Sequence, residues 1–283
     1  MTTINSEYKA LYKKDFDLLR KQIYRMCGLT ISDNKEYLIQ HRFKDLYNSR
    51  NCRSWHDFYQ LLVSGDDQFK EDAVSAISTH ETSFFRDSHP FTTVKNQILP
   101  AILKKRKFGG KIKIWCAASS TGQEPYSLSM LIHECSRTVM GSGISPDNFS
   151  ILGTDISGAV IEQAQKGIYT NLEKTRGLPS EYEKYFQKQG NKWHICPSVK
   201  SLVSFKKFNL LNSFSPLGKF DFIMCRNVLI YFDETTKANI IKRIHSTLED
   251  NSFLMLGSTE TLGGNTDLFE TKHTKGVLLY HKK

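Results

Sequence analysis

The chain lacks the markers of a disulfide or zinc framework. Its six cysteines, Cys27, Cys52, Cys116, Cys135, Cys196 and Cys225, are scattered without a C-x-x-C pair. They read as reduced, mostly packed thiols in a cytoplasmic protein, with no metal site. No apolar run approaches the ~20 residues of a membrane span, and Met1–Ala10 is too polar for a secretory signal. None of the seven prolines are adjacent, and no Ser or Cys nucleophile motif accompanies a histidine. Acid is also in short supply, because 39 Lys and Arg face 29 Asp and Glu, a net charge of +10. Basicity on this scale points to nucleic acid, an anionic membrane or an acidic protein surface, or else to a solvated basic face. Repeats and low-complexity tracts are missing as well. What remains is a chain of 283 residues, enough for one large or two modest folded domains.

From Lys9 to about Val74 the pattern is helical. Phe16, Leu19, Ile23 and Met26 recur at the spacing of one buried helix face. Ser54 with Asp57 resembles an N-cap opening a helix through Phe58, Leu61 and Leu62. Residues 9–53 hold eleven Lys and Arg against five Asp and Glu, a local excess of six. Phe91, Val94, Ile98 and Ile102 then mark a linking helix. Beyond it, strands at Ile112, Ser150–Gly153, Phe220–Cys225, Ser252–Leu256 and Val277–Tyr280 alternate with helices, one through Val160, Ile161 and Ala164 and one capped by Asp233 that carries Ile240, Ile241, Ile244 and Leu248. The expected fold is α/β, a doubly wound and mostly parallel sheet. Between Tyr169 and Phe208 the alternation lapses, and Trp193, Ile195, Val199, Leu202, Val203 and Phe205 suggest short antiparallel strands inserted into the sheet domain. The expected division is a helical domain over 1–77, a junction over 78–92 and a sheet domain over 93–283, with the insertion at about 169–208.

Ile112–Ser127 is the most informative stretch. Ile112, Ile114 and Cys116 form an apolar strand, Ala117–Gly122 a turn without bulk, and Pro125 suits the first turn of a helix. A strand, a small-residue turn and a helix are how doubly wound domains hold nucleotide-like cofactors. The turn has one glycine, not the G-x-G-x-x-G of a pyrophosphate site, and Glu124 would repel a phosphate. A phosphate-free cofactor with a positive centre, such as S-adenosylmethionine, suits that combination; an ordinary βα turn is the alternative. Asp155 ends the second strand, where an acid takes ribose hydroxyls or caps the next helix. Arg226 and Asn227 fall at the carboxyl end of the strand Phe220–Cys225, and Tyr231 follows either as a site residue or as a core aromatic. Ser78–Asp87 reads as a capped junction with Phe84 and Phe85 in the core, or as a lid offering Arg86 to a carboxylate. His80, alone, reads first as structural.

Three motifs then agree. Thr-His-Glu-Thr-Ser-Phe-Phe-Arg-Asp (79–87), Ser-Thr-Gly-Gln-Glu-Pro-Tyr-Ser (120–127) and Cys-Arg-Asn-Val-Leu-Ile-Tyr-Phe (225–232) resemble, in order, the signatures of the chemotaxis receptor glutamate methyltransferases, the CheR family. The resemblance covers nearly the whole chain from about Lys9. It implies a class I methyltransferase-like sheet domain, S-adenosylmethionine as methyl donor with S-adenosylhomocysteine as product, and receptor glutamates as acceptors. Carried over by motif, the cofactor contacts are His80, Thr82, Arg86, Glu124, Asp155, Asn209, Leu210, Arg226 and Asn227. Arg86 and Tyr231 are the catalytic candidates nearest the reacting carboxylate. His80 departs from the family, many members of which carry Asn there. The implied partner is the coiled-coil domain of a methyl-accepting chemoreceptor in the cytoplasm, met by a monomer through the basic segment 9–53, including Lys35, Arg42, Lys44 and Arg50.

The chemistry agrees with the residue types. A glutamate side chain with a pKa near ~4.3 is ionised at neutral pH, so methyl transfer to it needs no general base. Proximity and alignment are then the enzyme's main task. A nucleic-acid methyltransferase is the competing enzyme, but the Pro-Pro-aromatic motif of adenine-N6 chemistry and the Pro-Cys nucleophile of cytosine-C5 chemistry are both missing. A non-catalytic cofactor-binding module is the other alternative, against which Arg86, Asp155, Asn227 and Tyr231 argue. Gly190-Asn191 reads as a tight hairpin turn between Phe186 and Trp193. So short a turn implies an enzyme that acts without gripping a receptor's C-terminal peptide.

Overall fold

A computed structural model of the chain describes residues 10–105, 111–138, 145–274 and 277–283. Lys9, the first residue of the basic segment, and most of the polar start lie outside the described residues. The chain divides into two units, Met1–Thr79 and His80–Lys283.

The first unit is helical: α1 (Lys13–Cys27), α2 (Glu36–Ser49), α3 (Trp55–Ser64) and α4 (Asp67–Ile77). Phe16, Leu19 and Ile23 of α1 and Ile39, Phe43 and Tyr47 of α2 are buried, one apolar stripe per helix. Tyr47 and Phe43 meet Trp55 and Phe58 of α3, with ring centroids 4.7 Å apart for Tyr47–Trp55 and 5.0 Å for Phe43–Phe58. Ser54 caps α3, its Oγ accepting the Asp57 N–H at 3.0 Å. Asp57 in turn accepts from the Arg53 N–H at 3.2 Å, so the cap is one-sided and the acid braces the residue before it. Among the described residues, no helix is long and apolar enough to cross a membrane.

The second unit starts with α5 (His89–Thr93), one turn of π-helix (Val94–Ile98) and α6 (Leu99–Lys105). There follow β1 (Ile112–Ala117), α7 (Gln123–Thr138), β2 (Phe149–Asp155), α8 (Gly158–Lys166), β3 (Ile168–Tyr169) and α9 (Asn171–Thr175). Next come β4 (Phe186–Gln189), β5 (Lys192–Ile195), α10 (Pro197–Lys200), β6 (Val203–Lys207) and β7 (Phe220–Cys225). The unit ends with α11 (Glu234–Thr247), β8 (Leu248–Leu256), β9 (Phe269–Thr274) and β10 (Val277–Lys282).

Seven strands form one sheet in the order β6-β2-β1-β7-β8-β10-β9. The first five are parallel, and β10 runs antiparallel to both β8 and β9. Alternate residues of β1 enter opposite cores, Ile112, Ile114 and Cys116 on one face and Trp115 and Ala117 on the other. Burial on both faces is what a parallel sheet with helices on each side requires. Strand order reverses at β1, which has β2 on one side and β7 on the other. Ligands of open α/β sheets bind at such a point, outside the carboxyl ends of the strands.

Three readings of the sequence need correction. Val203–Lys207 is not part of an antiparallel insertion, because β6 pairs in parallel with β2 at the edge of the main sheet. Its half-buried alternation is that of an edge strand, and Val199 lies in α10. Among the described residues, the small sheet comprises β3, β5 and β4. Leu248 opens β8 and does not close α11, and β9 had no sequence signal because only Phe269 of its six residues is buried. The β4–β5 hairpin does turn at Gly190-Asn191, with Gln189 facing Lys192. Gly190 alone takes a positive φ, 57°, the pattern of a type II′ turn.

Candidate functional site

Three segments of the second unit converge at the β1 switch point, and all three carry backbone strain. Among the described residues, nine non-glycine residues have positive φ, and six of them are Phe85, Asp87, Ser88, Ala118, Ser120 and Asn227. Left-handed backbone at a residue other than glycine costs about 1–3 kcal/mol and persists only when its surroundings over-determine it. The surroundings here are specific.

The turn after β1 is closed by its own backbone and by Asp155. Ser119 N–H donates to Thr154 O at 2.8 Å and Gly122 N–H to Ser119 O at 3.0 Å. Ser120 N–H donates to Asp155 Oδ2 at 2.9 Å, while Asp155 Oδ1 accepts the Ser157 N–H at 3.1 Å. Gly122 has φ 92°, and a Cβ there would lie 2.9 Å from the Phe205 ring and 3.0 Å from Ala164 Cβ, so the turn needs a residue without a side chain. Tyr169 of β3 braces it, donating its hydroxyl to Thr121 O at 2.7 Å. With the N–H groups of Ser119, Ser120 and Gly122 engaged within the protein, the turn does not offer these three to an anion. It presents carboxylates instead. Asp155 is 7% exposed; burial pushes its carboxyl up, against the pull of the Ser157 and Ser120 N–H groups and of His80. Ser157 caps α8, its Oγ facing the Val160 N–H, so Asp155 itself is no helix cap.

Arg226, at the end of β7, ties the second and third segments together. Its side chain is 2% exposed and lies 2.8 Å from Glu124 Oε2 of α7 and 2.6 Å from Asp87 Oδ2. It also donates to Arg86 O at 3.3 Å. One guanidinium thereby joins β7, the start of α7 and the strained run 85–88. That run is pinned again where Phe85 N–H donates to Ser127 Oγ at 2.9 Å, and the Phe85 ring packs at a tilt against Tyr182 with centroids 4.2 Å apart. Burial raises the Glu124 carboxyl, and Arg226 is the main opposing influence. Cys116 and Cys225, buried on neighbouring strands, are pushed far above the ordinary thiol range by burial, which excludes either as a thiolate nucleophile.

The remaining candidates divide. Asn227 is left-handed, with φ 57°. Tyr231 is half-buried in the short 3₁₀ turn Leu229–Tyr231. Arg86 is half-buried and donates to Glu81 O at 2.8 Å. His80 supplies its carbonyl to the Ser120 hydroxyl at 2.9 Å. Thr82 is half-buried. Asn209 closes a local turn, its Oδ1 accepting the Leu211 N–H at 2.9 Å. Leu210 buries its side chain in the core with Trp115 and Phe214, leaving only its backbone for a ligand.

Sequence reasoning missed Asp87, Ser127, Tyr169 and above all Glu260. Glu260 is 3% exposed and accepts the N–H groups of Asn227, Val228, Leu229 and Gly257. Its signal was an acid three residues after a glycine at the carboxyl end of a strand. Two polar atoms at the switch point, Ser119 Oγ and Arg226 Nε, are buried without a hydrogen-bond partner among the described residues. Carboxylates with little exposure and polar atoms to spare at the carboxyl ends of the strands fit a cofactor that is cationic at its reactive centre.

In the first unit, the basic segment separates into paired and exposed cations. Arg20 lies 2.8 Å from Asp33 and 2.9 Å from Asp17, and Lys13 lies 3.0 Å from Asp33. Arg42 turns inward to Ser78 O and Thr79 Oγ1 at 3.3 and 3.2 Å, and Arg50 lies over the Phe69 ring. Lys14, Lys21, Arg25, Lys35 and Lys44 are exposed.

Residues 14–78 match the family model described as CheR methyltransferase, all-alpha domain, and residues 80–277 that of the CheR methyltransferase, SAM binding domain. The chain is 37% identical over 271 residues to Chemotaxis protein methyltransferase 1 of Pseudomonas aeruginosa, covering 95% of this chain and 98% of that protein. It is 36% identical over 272 residues to Chemotaxis protein methyltransferase Cher2 of Pseudomonas putida, with 95% and 98% covered. Chemotaxis protein methyltransferase 1 of Vibrio cholerae is 38% identical over 260 residues, with 91% and 92% covered.

Proposed function

This chain belongs to the CheR family of S-adenosylmethionine-dependent methyltransferases, and from that premise we propose that it methylates glutamate side chains of a chemoreceptor. The observation that carries the reading is the Arg226 tie, which joins the segment bearing Arg86 to the strand end that leads into Tyr231. When bound, S-adenosylmethionine supplies an electrophilic methyl group on a sulfonium. Asp155 and Glu124 would hold its ribose, and Asn227, Thr82, His80, Asn209 and the Leu210 backbone would complete the cofactor's surroundings. Arg226 serves chiefly by holding Glu124 and the 85–88 run in place.

An ionised glutamate needs no base, so the protein's work is to hold and aim it. Arg86 has donors beyond the one given to Glu81 O, and its guanidinium takes the acceptor carboxylate. The Tyr231 hydroxyl donates to the same group and fixes which oxygen faces the methyl. Arg86 must grip moderately, because the charge it holds is lost in the ester. The exposed cations Lys14, Lys21, Arg25, Lys35 and Lys44 meet the acidic, glutamate-bearing face of the receptor coiled coil in the cytoplasm. The two-residue hairpin at Gly190-Asn191 leaves no extra loop for a receptor's terminal peptide.

Transfer of a labelled methyl group to receptor-containing membranes tests this reading. The label should be released by mild alkali as an ester is. Arg86→Ala and Tyr231→Phe should each lower turnover by about tenfold or more, ~1.4 kcal/mol of barrier, with little change in melting temperature. Only Arg86→Ala should also weaken cofactor binding. Alkali-stable label, transfer to nucleic acid, or near-normal turnover in both variants would refute the assignment.

A further inference from the structure

Glu260 is a buried carboxylate whose four acceptor positions are all filled by main-chain donors. Oε2 takes the N–H groups of Asn227 at 2.8 Å and Gly257 at 2.7 Å, and Oε1 takes those of Val228 at 2.8 Å and Leu229 at 2.7 Å. A carboxylate has about four such positions, so Glu260 has none left for cofactor or substrate. Three consecutive N–H groups converge on one anion because Asn227 is left-handed, with φ 57°; such a concave run of amides is an anion nest. In this fold the anion is the protein's own side chain. The neighbouring backbone is fitted to it, since a Cβ on Gly257 would lie 2.6 Å from Glu260 Oε2 and 3.0 Å from Asn227 N.

We infer that Glu260 is a positioning residue, a latch from the end of β8 that sets the conformation of the turn after β7 and so aims Asn227 at the cofactor and Tyr231 at the acceptor. The inference rests on the site reading given above for those two residues. Neither the strand end nor the short 3₁₀ turn supplies the four bonds. Without the carboxylate, three adjacent amides would face one another in a buried place, and a left-handed Asn227 would lose its support. The chemistry of the latch is specific. A glutamine of the same shape presents an NH₂ donor where two N–H groups need an acceptor, whereas an aspartate keeps the charge and both oxygens on a shorter stem.

The test uses the full chain with Glu260→Gln, Glu260→Asp and, as a control, Ile240→Val, which trims the buried core of α11. Calorimetry with S-adenosylhomocysteine measures affinity with no acceptor present, so a failed acceptor assignment and a failed latch give different results. Glu260→Gln should weaken binding by about tenfold or more, as expected for buried donors left unmet. Glu260→Asp should recover part of that loss, and Ile240→Val should bind like the wild type despite its own drop in melting temperature. If Glu260→Gln does not fold, Glu260→Asp decides, with reduced affinity supporting the latch. Wild-type affinity in a folded Glu260→Gln or, failing that, in Glu260→Asp overturns the inference. Equal loss in Ile240→Val overturns it too, because the effect would then be general destabilisation.

Discussion

The helical unit and the sheet unit bend their chains in the same left-handed way but with different residues. In the helical unit the positive-φ positions are Gly28, Asn34 and Asn51. Glycine has no Cβ to clash, and asparagine bonds locally, so each turn is stable on its own residue. Around the switch point of the sheet unit Gly122 and Asn227 are conventional choices, but Phe85, Asp87, Ser88, Ala118 and Ser120 take positive φ as well. Phe85, Ser88, Ala118 and Ser120 gain nothing from that conformation; Phe85 is held from outside by Ser127, Asp87 by Arg226 and Ser120 by Asp155. Strain at the site is therefore a property of long-range contacts, and removing a contact there should cost far more than altering a turn in the helical unit.

The largest break should come from Arg226→Met. The substitution leaves Glu124 buried and unpaired, and breaking a buried pair in this way costs about 3–5 kcal/mol, read as a lower melting temperature. The deficit should depend on pH. Burial raises the Glu124 carboxyl, and Arg226 opposes that rise. A carboxyl whose folded pKa exceeds its unfolded one binds its proton more tightly when folded, so it subtracts stability as pH climbs above the unfolded value, about 4. Losing Arg226 enlarges that penalty. The gap between variant and wild type should open as pH climbs past the raised folded value of the wild-type Glu124 carboxyl and close on acidification; a gap that widens in acid would contradict the pairing.

Asp155→Ala comes next. Charge-assisted acceptors for the ribose are worth roughly 1.5–3 kcal/mol of cofactor affinity, and the Ser120 and Ser157 amides lose their partner as well. Calorimetry on a folded variant should show the loss, and unchanged affinity would remove Asp155 from the ribose. A smaller effect, confined to the receptor, is expected from reversing Lys35 and Lys44 to glutamate. The apparent KM should rise severalfold and its salt dependence weaken, since exposed charges are screened beyond ~8–10 Å near physiological ionic strength, while cofactor affinity stays the same. Arg42 is left out because its bonds to Ser78 and Thr79 make it a brace of α4. The smallest change is Asn51→Gly, expected within about 0.5 kcal/mol by thermal melting. A larger loss would mean that the helical unit also depends on distant support.

The same contrast explains what could be read from the sequence. Elements set by neighbours in the chain were legible: the α1 stripe, the Ser54 cap, the strand, turn and helix around Gly122, and the two-residue turn at Gly190-Asn191. Asp155 was legible as an acid closing an apolar strand, and the structure sets it against the turn after β1. Arg226 was noticed, but its two carboxylate partners lie far away in sequence, so its role as a tie was not. Glu260 was missed because its partners are main-chain N–H groups, so the only trace in the sequence is an acid three residues after Gly257. β6 was misread because an edge strand alternates in burial whether it is parallel or antiparallel, and β9 is too polar to stand out.

Mass spectrometry of receptor peptides, after incubation of receptor-containing membranes with the protein and S-adenosylmethionine, tests the central claim most directly. One added methyl is expected on glutamate side chains of the coiled-coil segment, lost on mild alkaline hydrolysis and much reduced with Arg86→Ala. Methyl groups on any other side chain, or unmodified receptor from a protein that binds the cofactor, would contradict it.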